Sequence, residues 1–153
     1  LDGKVLVVPG RSGAGKSTLA VAAAAAGASV LNDEFTMIDP ATGLITGWPR
    51  PVRIKHEGRI DRLHLATTSE PLPVSLLAFL VHEEGAENRW SEIPQAEALV
   101  ELLGHTITTR TRPDDTFDAA LGVVRSCRAI SGVRGEAPVA IASVIGLLAE
   151  STP

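Results

Sequence analysis

Gly10-Arg11-Ser12-Gly13-Ala14-Gly15-Lys16-Ser17 satisfies Gly-x-x-x-x-Gly-Lys-Ser/Thr at every fixed position. That pattern demands a strand before it and a helix behind it, and both flanks read that way. Lys4-Val5-Leu6-Val7-Val8-Pro9 is a β-branched, nearly all-apolar run between glycines, as expected of a strand buried on both faces and central in its sheet. Residues 16–28 are good helix formers without proline, and Gly27 supplies a left-handed stop. Within that helix Ala22-Ala23-Ala24-Ala25-Ala26 leaves little side-chain bulk, so its axis is expected to lie close to the sheet.

A loop of this kind holds phosphate. Its glycines let backbone N–H groups turn inward, and the helix N-terminus adds its dipole and unpaired donors. The expected ligand-binding residues are Gly10, Arg11, Ser12, Gly13, Ala14, Gly15, Lys16, Ser17 and the following Thr18. Lys16 would neutralise β- and γ-phosphate oxygens, and the Ser17 hydroxyl would be a Mg²⁺ ligand. A dinucleotide fold is disfavoured: it needs Gly-x-Gly-x-x-Gly, whereas the glycines here stand at 10, 13 and 15 and a lysine follows.

Turnover also needs a carboxylate. Residues 28–31 read as the strand after the helix, which delivers Asn32-Asp33-Glu34 to the carboxyl edge where ligands of open α/β sheets collect. Asp33 is the candidate for accepting a proton from an acceptor hydroxyl, and Asp33 and Glu34 join Ser17 as candidate Mg²⁺ ligands, Glu34 directly or through water.

Further along, Phe35 to Asp39 is expected to pair with Leu44 to Trp48 in a hairpin turning at Pro40-Ala41-Thr42-Gly43. Trp48-Pro49-Arg50-Pro51 interrupts regular structure, and residues 52–73, with Thr67-Thr68-Ser69, read as irregular with short strands. Residues 76–81 form a second buried strand ending in His82-Glu83-Glu84-Gly85. Helices are expected over 94–103, with Ala96, Leu99, Val100 and Leu103 on one face; from an N-cap at Thr116, carrying Phe117, Ala120, Leu121 and Val124; and over 138–149. The whole is one α/β domain over 1–153, a central sheet flanked by helices with a β-rich insertion at 35–73.

The balance of 14 basic against 18 acidic residues, net charge −4, offers no basic excess for a nucleic-acid backbone. Apolar runs at 5–8, 76–81 and 139–148 fall short of the ~20 residues that span a bilayer, so no membrane partner is expected. The single cysteine, Cys127, excludes a disulfide framework and a Cys-rich zinc site and reads as a core residue in a cytoplasmic protein. Leu1-Asp2-Gly3-Lys4 does not begin an export signal, and the missing initiator Met leads us to expect natural sequence upstream of Leu1.

Gly10-x-Ser12-Gly13-x-Gly15-Lys16-Ser17, an unbroken helix ending at Gly27, and an acidic pair 17 and 18 residues after the loop lysine together resemble the catalytic domain of the HPr kinase/phosphorylase family. That family's core is related to phosphoenolpyruvate carboxykinase rather than to the Ras-like GTPases. The order of elements is similar over most of the chain, and residues 10–34 carry the diagnostic part. The resemblance implies phosphate binding by Gly13, Gly15, Lys16 and Ser17, with Asp33 and Glu34 standing where the family has two aspartates. It further implies an ATP- and Mg²⁺-dependent phosphotransferase whose acceptor is a serine on a protein or peptide, or a small-molecule alcohol. Glu34 is one departure. The family's downstream Arg-Gly-Leu-Gly signature has no counterpart, and the histidine before its loop strand would lie upstream of Leu1; both argue against HPr itself as acceptor.

Two function classes follow: the phosphotransferase, and a nucleotide-binding regulatory module or slow ATPase without an acceptor. Aromatic residues are 3% of the chain, with no tyrosine, so little is available to stack on a base; the absence of Asn-Lys-x-Asp favours ATP over GTP. Arg50, Arg53, Arg110 and Arg112 are candidates for clamping phosphate or for plain surface charge. His82-Glu83-Glu84 reads as a solvated turn, and His56, His64 and His105 as structural or surface residues. Association of several copies of the chain stays open.

Overall fold

The strand Leu76–His82, LLAFLVH, is apolar up to its last residue, and its first five residues are buried. Both of its faces must therefore be covered, and the layers of the fold follow from that. The computed structural model describes residues 1–48, 50–56, 59–65 and 70–150. In chain order its elements are β1 (Leu6–Val7), α1 (Lys16–Ala25), β2 (Met37–Ile38), β3 (Ile45–Thr46), β4 (Val52–His56), β5 (Arg59–Leu63), β6 (Leu76–His82), β7 (Arg89–Glu92), α2 (Gln95–Gly104), a 3-10 turn at Ile107–Arg110, α3 (Pro113–Ser126), β8 (Arg128–Arg134) and α4 (Ala137–Glu150).

This is an α/β protein. One mixed four-strand sheet runs in the order β1-β6-β8-β7, with two small hairpins, β2-β3 and β4-β5, outside it. β1, β6 and β8 are parallel, and β7 returns antiparallel on β8. Alternation along β6 divides the core. Leu77 and Phe79 pack with Ala98 and Leu102 of α2 and Ala120, Val123 and Val124 of α3, while Leu76, Ala78 and Leu80 pack with Val144 and Leu148 of α4. On the α4 side, Leu19, Ala22 and Ala23 of α1 meet Ala137, Ala140 and Ile141. The first part of the alanine run thus serves close packing on α4; Ala25 and Ala26 are exposed.

The stop at Gly27 is as expected: its φ is 89°, and the Ala28 N–H donates to the Ala23 carbonyl at 3.0 Å, a Schellman closure. The β2-β3 hairpin forms with Met37 opposite Thr46 and Ile38 opposite Ile45, and the Asp39 carboxylate accepts from the N–H groups of Ala41 and Thr42 to fix its turn. Pro49 and Thr67-Thr68-Ser69 lie outside the described residues.

Several expectations are corrected. Among the described residues β1 is not central but an edge of the sheet, bonded only to β6. Residues 28–31 form no strand that would cover its free side. Val30 is buried and the Leu31 carbonyl takes one bond, from Trp48 N–H. The Asn32 side chain then accepts from the N–H groups of Glu34 (2.8 Å) and Phe35 (3.2 Å), which turns the chain before a strand can extend. α2 buries Ala98 and Leu102, and leaves Ala96 exposed and Val100 70% exposed. Thr116 is no N-cap: α3 begins at Pro113, a favoured first position, and Thr116 is buried inside it, donating to Thr108 Oγ1 at 2.8 Å. Phe117 is exposed. β7 and β8 were not foreseen.

Candidate functional site

Between β1 and α1 the chain makes a tight loop that needs left-handed backbone at Gly13 (φ 86°) and Gly15 (φ 78°), a conformation that glycine adopts without strain. Gly15 is also the N-cap of α1, with no side chain capping the helix. The first helix-type bond outside the helix proper runs from Leu19 N–H to the Gly15 carbonyl. Among the described residues, the N–H groups of Gly13, Gly15, Lys16, Ser17 and Thr18 have no hydrogen-bond acceptor. Five donors are gathered on one loop and the first turn of a helix, which is what an anion needs.

The Lys16 ammonium folds back across the loop, donating to the carbonyls of Gly10 and Arg11 at 2.8 Å each. Two of its three donors hold the loop closed, and the third is left for a ligand oxygen. Arg11 and Ser12 are exposed on the loop and Thr18 is exposed on the first turn.

Ser17 and Asp33 come together: Ser17 Oγ donates to Asp33 Oδ2 at 2.8 Å. Two hard oxygens side by side at the helix N-terminus fit a Mg²⁺ site completed by phosphate oxygens and water, and among the described residues no group of three His, Cys, Asp or Glu side chains stands ready to hold a metal alone. Glu34 goes elsewhere. Its carboxylate pairs with Arg50 Nη1 at 3.0 Å, both side chains partly solvent-exposed. The Asn32 turn explains the split, since it sends the two neighbouring carboxylates in different directions.

A shallow cavity of about 130 Å³ is lined by Asn32, the residue before Asp33, and by Phe35, Met37, Trp48 and Arg50. Phe35, Met37 and Trp48 are each about half exposed, an apolar wall in a chain with few aromatic residues. Arg53, Arg110, Arg112 and His64 are exposed. His82 sits 3.9 Å from Glu136 at the surface, and His105 stacks on Phe79. Of His56, only its place in β4 is described. Cys127 packs against the α2/α3 core, and burial pushes its thiol up to about 11, a Leu77 backbone hydrogen bond opposing weakly.

One residue of this region gave no sequence signal. Arg134, the last residue of β8, is 2% exposed. Its Nη2 donates to the Ala14 carbonyl at 3.1 Å and its Nη1 to the carbonyl of the adjacent Gly135 at 3.0 Å. Burial pushes its guanidinium down from the usual range, partly offset by the charge of Glu136. A strand-ending arginine 120 positions from its partner has no local pattern; only recognising β8 and its alignment beside β6 brings it to the loop.

Among the described residues no helix is long and apolar enough to cross a membrane. Comparison of the chain with protein-family models, with curated proteins and with solved structures finds no match.

Proposed function

We propose that this protein is a Mg²⁺-dependent phosphotransferase that moves the γ-phosphoryl group of ATP to a hydroxyl acceptor. The observation that carries the reading is the 2.8 Å contact of Ser17 with Asp33, beside the N–H groups of Gly13, Gly15, Lys16, Ser17 and Thr18, which have no acceptor among the described residues. The similarity of residues 10–34 to the HPr kinase family, with its phosphoenolpyruvate carboxykinase-like core, supports the same conclusion. The N–H groups of Gly13, Gly15, Lys16, Ser17 and Thr18 bind the phosphate chain, and Lys16 turns its third donor to it. Ser17 and Asp33 would hold the Mg²⁺ ion, which would supply charge to offset that of the phosphates.

The acceptor lies along the cavity walled by Phe35 and Trp48, which Asn32, the neighbour of Asp33 in sequence, also lines. Its hydroxyl oxygen forms a bond to the γ-phosphorus as the bond from that phosphorus to the β–γ bridging oxygen breaks. The bridging electron pair leaves with ADP, and the hydroxyl proton passes to Asp33. A nucleotide-binding module without transfer is the second reading. It is favoured by the engagement of Glu34 with Arg50, which leaves Asp33 alone to serve both metal and proton.

Incubation of the parent, Lys16→Ala and Asp33→Asn with γ-labelled ATP, Mg²⁺ and cell extract separates the two. A transferase labels an acceptor with the parent and with neither variant, while Asp33→Asn keeps most nucleotide binding. An unlabelled extract, with ATP bound equally by parent and Lys16→Ala, would sink the proposal.

A further inference from the structure

We infer that Arg134 is a positioning residue of the phosphate loop: it orients the Ala14–Gly15 peptide so that the Gly15 amide faces the bound phosphates. The inference rests on the reading of residues 10–17 as a phosphate cradle and adds to it a part supplied from the opposite end of the chain. In a trans peptide the C=O and N–H point in opposite directions. Arg134 Nη2 holds the Ala14 carbonyl at 3.1 Å from the buried end of β8, so the Gly15 N–H of the same peptide is directed away from the protein interior. That N–H has no acceptor among the described residues.

The same contact keeps the Ala14 carbonyl out of the helix. A helix continued backwards would bond it to the Thr18 N–H; instead the ladder starts one residue later, with Leu19 N–H on the Gly15 carbonyl. Thr18 therefore remains a free donor beside Gly15. The guanidinium also sets a positive charge against the back of the loop, where its field adds to the helix dipole.

Stability alone does not account for a buried arginine here. Its Nε is buried with no partner among the described residues, and a buried donor without a partner is destabilising. Its Nη1 is spent on the adjacent Gly135 carbonyl, which locks the side chain in this direction. The loop is shaped to receive it: a β-carbon at Gly15 would collide with Arg134 Nη2. Gly15 is thus required twice, for its left-handed backbone and for the approach of the guanidinium, and the two residues act as one device.

The test follows the Gly15 amide by ¹⁵N–¹H spectroscopy as MgADP or Mg-pyrophosphate is added to the parent, Arg134→Met and Arg134→Lys, with thermal melts to establish folding. In the parent, the Gly15 resonance should move among the most. In folded Arg134→Met that response should be lost and MgADP affinity should fall roughly 10- to 100-fold, the range for removing a hydrogen bond to a charged group. Arg134→Lys, which keeps a charged donor, should recover most of both. Affinity and Gly15 response unchanged in folded Arg134→Met would overturn the inference. Should Arg134→Met fail to fold, the parent decides alone: a Gly15 amide indifferent to MgADP while those of Gly13 and Ser17 respond overturns it. A parent that binds neither probe overturns the cradle reading itself, and this inference with it.

Discussion

Replacing Gly15 by alanine should destabilise the protein well beyond the same change at Gly13. Both residues have left-handed backbone, φ 78° and 86°, so each alanine carries the steric penalty of that region, about 1–2 kcal/mol. Around Gly13 an added β-carbon meets nothing within 4 Å, whereas at Gly15 it meets Arg134 Nη2. The guanidinium must then withdraw, breaking its 3.1 Å bond to the Ala14 carbonyl, a bond of the charged class worth about 1.5–3 kcal/mol. Gly13→Ala should therefore lower the unfolding free energy by about 1–2 kcal/mol and Gly15→Ala by about 2.5–5 kcal/mol. Urea denaturation of the two variants and the parent measures the difference, provided the m-values agree. Equal losses would refute the claim that Arg134 bears on the loop.

Cys127 makes stability pH-dependent at the alkaline end. Its pKa is raised from 9.0 to about 11 by burial, so the folded state holds the proton more tightly and the contribution, fully present below pH 9, is lost as pH rises towards 11. Urea midpoints measured across that window should fall less steeply in Cys127→Ala than in the parent. Asp33→Asn should lower turnover at least ~100-fold and Glu34→Gln by less than ~10-fold, because Asp33 and not Glu34 meets Ser17; steady-state rates for the pair check the assignment. Trp48→Ala should raise the KM for the acceptor while leaving MgATP affinity within about twofold, since Trp48 walls the cavity proposed for the acceptor and is 57% exposed, so its loss leaves no large core void. Equal effects on both substrates would remove the acceptor from that cavity.

What the sequence reveals, and what it conceals, divides along the range of the interactions. The loop of residues 10–17 is legible because its geometry is written in adjacent residues, left-handed glycines at fixed spacing before a helix. β6 is legible because burial on both faces requires an unbroken apolar run. β8, RAISGVR, carries arginine at both ends and serine and glycine in the middle, so neither alternation nor apolar continuity marks it. Its identity comes from seven residues of register against β6, and from Gly132, where a β-carbon would strike Arg89 and Trp90 of β7. Residues 28–31 mislead for the converse reason: they have the composition of a strand, but among the described residues they form no ladder beyond the single bond from Trp48 N–H to Leu31, and Asn32 turns the chain first. Asp33 stands beside Ser17 although no strand over 28–31 delivers it. Arg134 reaches Ala14 only through the completed sheet.

Calorimetric titration of MgATP into the parent and into Lys16→Ala asks whether residues 10–17 hold phosphate. Among the described residues the Lys16 ammonium hydrogen-bonds to the carbonyls of Gly10 and Arg11 of its own loop, and Lys16 is not part of the buried core, so its loss should spare the core. The phosphate-cradle account predicts saturable one-to-one binding by the parent and binding at least ~10-fold weaker by a folded Lys16→Ala, as expected when a charged donor to phosphate is removed. Equal affinity in the two proteins, or no binding by the parent, would contradict it.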